Sequence, residues 1–222
     1  KYWFEYEGKP LLLGNKAEIS HTLVKGLVDR FTFRNSWAWM GGANADEWAW
    51  LEYYPQRPGW TSVYNSILGT TVKKTEQISV SVAQHATTKV GKSYHGGKQP
   101  AYDKYGLCEE TPYGLYFQEQ WNHAIDVHPP IVMVTQFNEW IAQRFVIRNQ
   151  GEYGNIRPGA TAKIGETYFV DVYNAEFSRD LEPGTHPLIR DNYYLQLVSN
   201  TRKYRGVNNT ALPRIWDLSR TV

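Results

Sequence analysis

The chain has 222 residues, of which 21% are charged and 41% hydrophobic, and its formal net charge is +2. That length suits one domain with a sizeable core, and the near-neutral balance without a long Lys/Arg run argues against a nucleic-acid partner. No apolar stretch approaches a membrane span, and the lone Cys108 excludes a disulfide framework or a thiolate metal cluster.

The chain opens on Lys1 in KYWFEYEG, with neither Met nor a signal peptide, which is expected of a processed chain or a fragment. Residues 10–14, PLLLG, read as a short buried strand. Asn15 and Glu18 form a capping-box pattern, and the helix they open places Ile19, Leu23, Leu27 and Phe31 on one face. FTFRNSWAW, residues 31–39, reads as a second strand, and Gly41 to Glu76 as a loop-rich insertion punctuated by Pro55, Pro58 and Gly59.

ISVSVAQH, residues 78–85, is a third strand with Gln84 and His85 at its exit. The glycine-rich GKSYHGGK that follows lacks the order of a phosphate-binding loop and reads as a flexible loop. A helix over 114–126 carries Phe117, Trp121 and Ile125 on one side and stops before Pro129-Pro130. The fourth strand, IVMVT at 131–135, leads into QFNEWIAQRF. A second insertion covers about 149–189. The last helix opens at Asp191, is expected to bury Tyr194, Leu197, Val198 and Thr201, and ends with Arg202, Lys203, Arg205 and Gly206. Residues 207–222 form an irregular strap behind a single domain spanning 1–222.

Strands alternating with helices imply parallel pairing through right-handed crossovers. The expected fold is therefore α/β, a (β/α)8 barrel of the TIM type, of which four strands supply the carboxyl-terminal half. The missing amino-terminal half, or a downstream carbohydrate-binding domain, is an expected partner.

Side chains at the carboxyl end of a parallel strand line the ligand site. Asn138, Glu139 and Trp140 there offer an amide for hydroxyls, a carboxylate and a stacking ring, which are the parts of a sugar site. Aromatic residues make up 15% of the chain and often have polar neighbours, as in NSWAWMGG and DEWAWLEYYPQRPGW. Such rings suit the apolar faces of pyranosides as well as ordinary packing.

The segments VTQFNEWIAQRF, YFVDVYNAEFSRDLEP and DNYYLQLVSNTRKYRGV resemble the carboxyl half of a bacterial glycoside-hydrolase-like barrel, distantly similar to glycoside hydrolase families 99 and 71. The resemblance covers roughly residues 10–206 and is most specific at Asn-Glu-Trp. In family 99, the endo-α-mannosidases, that strand reads Asn-Glu-Trp-His-Glu and both Glu residues carry catalysis. Here the first falls on Glu139 and the second on Ala142.

Glycoside hydrolysis needs two carboxyls, separated by about 5–5.5 Å for retention and about 6.5–9.5 Å for inversion. Glu139 is the first candidate, as acid/base; an ion pair with Arg144 is its bland alternative. Glu176 is chosen as the second from a set that also holds Asp46, Glu47, Glu119, Asp171, Asp180 and Glu182. Arg34, Trp37, Trp39, Gln84, His85, Gln136, Asn138, Trp140 and Arg144 are the expected substrate-binding residues. No cofactor or metal is called for. The expected function is a glycoside hydrolase acting outside the cytoplasm, extracellular or periplasmic, on an oligosaccharide or polysaccharide. The alternative is a non-catalytic glycan-binding barrel using the same cleft.

Overall fold

The computed structural model describes residues 3–15, 18, 29–83, 91–104, 107–138, 144–149, 163–169, 174–187 and 189–207. The chain divides into two compact units, Lys1–Val80 with Val127–Val134, and Ser81–Asp126 with Thr135–Val222. The expected helix through Ile19, Leu23 and Leu27 and the strap over 208–222 lie outside the described residues.

The first unit holds two three-stranded sheets. In one, β1 (Glu5–Tyr6) runs antiparallel to β2 (Lys9–Gly14), which pairs in parallel with β3 (Thr32–Asn35) in the register Leu11↔Thr32 to Gly14↔Asn35. In the other, β4 (Gly59–Asn65) and β5 (Thr70–Val80) form an antiparallel hairpin, and β5 pairs in parallel with β6 (Ile131–Val134). Glu76, Gln77, Ile78, Ser79 and Val80 of β5 are all buried, whereas its first half is largely exposed. A run buried on both faces is what a central strand produces.

The barrel expectation is overturned. Three small sheets are present among the described residues, two mixed and one antiparallel, and none closes. Of the three parallel pairings that four consecutive barrel strands require, two form, β2 with β3 and β5 with β6; β3 and β5 do not pair. The outer edge of β3 is taken by residues 46–51, through Asn35 N–H to the Asp46 carbonyl, Trp48 N–H to the Asn35 carbonyl and the Ala38↔Leu51 bridge. The outer edge of β5 is taken by β4. Neither ladder therefore continues into a barrel wall. The supposed loop insertion from Gly41 to Glu76 contains β4 and more than half of β5. Prolines 55 and 58 obscured the alternation of GWTSVYN.

Arg34 and Glu76 fasten this unit. Glu76 is fully buried and accepts four hydrogen bonds: Arg34 Nε at 2.8 Å, Arg34 Nη2 at 2.7 Å, Trp48 Nε1 at 2.8 Å and the Tyr6 hydroxyl at 3.1 Å. The guanidinium also lies 5.5 Å from the Tyr6 ring centroid and 5.7 Å from that of Trp48. A paired, ring-flanked arginine suits a buried site better than a lysine would.

The second unit contains α1 (Leu115–Val127), a short antiparallel pair of β7 (Arg144–Val146) and β8 (Thr167–Phe169), and α2 (Asn192–Tyr204). Both helices stand close to their expected bounds. In α1, Tyr116, Phe117, Gln120, Trp121 and Ala124 are buried. In α2 the buried face is Tyr193, Gln196 and Asn200, not Tyr194, Leu197, Val198 and Thr201. Hydrogen bonds choose that face. The Tyr193 hydroxyl donates to the Thr111 carbonyl at 2.6 Å, Gln196 to that of Tyr113 at 2.5 Å, and the amides of Asn200 and Gln118 bond reciprocally at 3.0 Å. No helix among the described residues is long and apolar enough to cross a membrane.

Candidate functional site

Strand β6 ends at Val134, and the next residues leave strand geometry at Gln136, whose φ is +66°. A non-glycine residue in this region calls for support from its surroundings. The Gln136 side-chain oxygen accepts the N–H groups of Val82 and Ala83 at 3.1 and 3.3 Å. Its carbonyl and that of Phe137 receive the N–H of Leu181, each at 3.0 Å, and the Phe137 carbonyl receives that of Glu182 at 2.7 Å. The turn after β6 is thereby locked to residues 181–182. At its end, Asn138 Nδ2 donates to Glu182 Oε2 at 3.2 Å.

Glu182 lines a cavity of about 380 Å³ in this unit, with Lys92, Asn174, Ser178, Asp180, His186 and Arg190. The sequence Asn174-Ala-Glu-Phe builds one wall. Asn174 Oδ1 accepts the N–H groups of Glu176 and Phe177 at 3.0 and 3.2 Å, an Asx cap that starts a single helical turn. The turn sends Glu176 and Phe177 into the interior, while Ser178 and Asp180 line the cavity. The opposite wall is held by N–H groups of Ile189 and Arg190 on the His186 carbonyl, at 3.1 and 2.9 Å.

Lys92 sits in the wall with 1% of its surface exposed. Its backbone N–H donates to the Glu176 carbonyl at 2.8 Å, and its ammonium lies 3.4 Å from the Asp180 carbonyl and 4.4 Å from the Tyr193 ring centroid. The cavity thus combines two carboxyl side chains, the basic side chains of Lys92 and Arg190, an imidazole and neutral hydrogen-bonding groups. Such a lining offers hydrogen-bond donors and acceptors to a polar ligand.

Glu176 has no exposed surface and, among the described residues, lines neither the cavity of about 380 Å³ nor the one beside Tyr102 and Cys108. Oε1 accepts Ser93 N–H at 3.0 Å and Gln99 Nε2 at 2.9 Å, while Oε2 lies 2.5 Å from the Ser93 hydroxyl and 2.6 Å from that of Thr111. Burial, and then the charge of Glu176, pushes the phenols of Tyr102 and Tyr193 above their ordinary range. Burial likewise pushes the Cys108 thiol up. The chosen second acid is thus the hub of an interior network, enclosed where a substrate has no access.

Comparison with protein-family models, with curated proteins and with solved structures returned no match.

Of the other expected site residues, Gln136 braces the turn and Asn138 is exposed and bonds Glu182, which lines the cavity. Arg144 is exposed on β7. Glu139, Trp140, Gln84 and His85 lie outside the described residues, as does Asp171. Arg34, in the first unit, is 5% exposed, and Nε, Nη1 and Nη2 all donate to protein acceptors, which leaves it a core residue. Trp37, 58% exposed, meets Trp50 edge-on at 6.5 Å, and Trp39 stacks on Tyr53 at 5.9 Å and 20°. Trp39 holds a φ of +57°, anchored by its N–H on the Leu51 carbonyl.

Lys92, Ser178 and Arg190 did not stand out in the sequence. Lys92 and Ser93 lie in GKSYHGGK, read there as flexible, yet both are buried. The usable signal was Gly91. A Cβ at that position would come within 1.9 Å of Glu176 Oε1, so only glycine admits the carboxylate.

Proposed function

We propose that this protein is a glycoside hydrolase whose glycan occupies the cavity between residues 174–182 and 186–190. One observation carries the reading: Asn138 donates to Glu182, a wall residue of that cavity, at 3.2 Å. That bond ties the first residue of the Asn-Glu-Trp triplet to a carboxyl that lines the pocket, which supports the reading. The pocket volume, about 380 Å³, falls within the usual range for small-molecule sites. The reading keeps Glu139 as acid/base and takes the second carboxyl from Asp180 or Glu182 in place of Glu176. Asn174, Ser178 and His186 supply hydroxyl contacts. The proposed setting remains extracellular or periplasmic, with an oligosaccharide or polysaccharide as substrate.

A non-catalytic glycan-binding reading is favoured by one residue, Ala142, which stands where family 99 enzymes place their second Glu. Turnover of a glycan panel separates the two. Glu139→Gln is expected to lower kcat/KM by at least about 100-fold, the usual contribution of a general acid/base. Asp180→Asn or Glu182→Gln is expected to do the same. Wild-type turnover in Glu139→Gln would remove the proposed acid/base. Binding at the cavity without turnover of any glycan would establish the non-catalytic reading instead.

A further inference from the structure

The β4–β5 hairpin displays side chains used neither by the core of its unit nor by the proposed glycan cavity. Seven residue pairs join its strands, from Gly59↔Gln77 to Asn65↔Thr70. At the tip, the Asn65 side chain accepts the N–H groups of Ile67 and Leu68 at 3.0 and 3.1 Å. Gly69 closes the turn with a φ of +64°. The tip is thus a built turn that presents Ile67 at 93% exposure and Leu68 at 65%. Tyr64, 70% exposed, stands just behind them. The pairs Tyr64↔Thr71 and Ser62↔Lys73 put Tyr64 and Lys73 on one face, where Lys73 Nζ lies 4.1 Å from the Trp60 ring centroid.

The outer part of the hairpin, residues 62–75, carries Lys73 and Lys74 and no acidic residue. Acidic side chains approach only behind it, where Asp46 accepts from Thr61 and Glu52 pairs with Arg57. Lys73 pairs with Ser62, three register steps behind the Asn65–Thr70 pair, which is about 10 Å at about 3.4 Å per residue. Interfacial segments bury their apolar side chains to a depth of about 5–10 Å. With Ile67 and Leu68 at that depth, Lys73 and Lys74 stand at headgroup level and can extend towards phosphates. Tyr64 and Trp60 take the amphipathic boundary positions that such rings favour. A protein partner fits less well. A stable interface buries about 800 Å² on each side, far more than a few side chains on a narrow turn offer.

We infer that this hairpin is a membrane-surface anchor, which inserts Ile67 and Leu68 into the interface of an anionic lipid bilayer and holds its headgroups with Lys73 and Lys74. Co-sedimentation of the full chain with lipid vesicles tests it. Vesicles of phosphatidylcholine mixed with phosphatidylserine are expected to carry the protein down in preference to phosphatidylcholine alone, and added salt should weaken the effect. The double variant Ile67→Ser, Leu68→Ser should lower partitioning by about tenfold or more. Lys73→Gln, Lys74→Gln should remove the preference for phosphatidylserine, with the circular dichroism spectrum unchanged. Failure to sediment with the anionic vesicles would overturn the anchor, and so would wild-type partitioning of the serine variant. A wild-type dimer that the serine variant converts to a monomer in solution would overturn it as well, by assigning the tip to a second copy of the chain.

Discussion

Glu76→Ala is expected to lower the unfolding free energy by about 3–5 kcal/mol in urea titrations, the cost of stranding one partner of a buried ion pair. Arg34 would keep its charge inside the first unit and lose both strong contacts to Glu76. The carboxylates left near it are more exposed: Glu7, 42% exposed, bonds a single nitrogen at 2.8 Å, and Asp46, 54% exposed, lies 3.8 Å from Nε. Trp48 Nε1, buried against Glu76, would lose its acceptor too. The pH dependence has a definite sign. Burial alone would raise the Glu76 carboxyl, but hydrogen bonds from Arg34 and Trp48 and the guanidinium charge outweigh it and hold the group below the ordinary range. Stability from a depressed carboxyl is complete above its unfolded value, near pH 4.3, and is lost as pH falls through the folded value. Acidification below about pH 4 should therefore destabilise the wild type more steeply than Glu76→Ala. The alkaline side runs the other way. Burial, reinforced by the Glu76 charge, pushes Tyr6 up to about 12. Its contribution is complete below about pH 10 and disappears as pH rises through the folded value.

Glu176→Ala is expected to cost about 3 kcal/mol or more in the same measurement. It leaves the Ser93 N–H, the Ser93 hydroxyl and the Gln99 amide without their buried acceptor, while the Thr111 hydroxyl keeps the Cys108 carbonyl at 2.7 Å, and each stranded donor costs about 1–3 kcal/mol, not additively. Gly91→Ala attacks the same contact from the other side, because its Cβ would sit 1.9 Å from Glu176 Oε1. Overpacking of this kind costs about 1–3 kcal/mol. The two changes should couple: the double variant should be less destabilised than the two single effects added together, since alanine at 176 vacates the space that the new methyl needs. Strictly additive losses would show that Gly91 and Glu176 do not constrain each other.

Local pattern located two helices and parts of the parallel strands, missed β4, the first half of β5, β7 and β8, and was a poor guide to assembly. Helices α1 and α2 were legible because apolar or capping residues recur at helical spacing and Pro129 and Gly206 mark their ends. The parallel strands were legible as apolar runs bounded by breakers. What periodicity does not encode is which edge a strand offers to which neighbour. The edge of β3 goes to the irregular stretch Asp46–Leu51, whose backbone groups bond it without strand spacing. The buried face of α2 escaped for a related reason. Gln196 and Asn200 look like solvent residues, and they are interior because specific carbonyl and amide partners on residues 113 and 118 await them.

The site was half legible. Asn138 could be placed at a strand end from the sequence, and the VYNAEFSRDLEP segment could be marked as the source of an acid. The Asx cap of Asn174 turns the Glu176 side chain inward and leaves Asp180 and Glu182 on the cavity side, a direction that residue spacing does not encode. Lys92 was hidden by its glycine-rich neighbours, which suggest mobility unless a close approach such as that at Gly91 is known.

Hydrogen–deuterium exchange of the full chain, with and without a glycan from the panel that it binds, tests the cavity most directly. Slowed exchange is predicted in the peptides covering residues 174–190 and in the peptide carrying Lys92, with the effect diminished in Asp180→Asn and Glu182→Gln. Protection confined to other segments, with 174–190 exchanging as in the free protein, would contradict the glycan cavity.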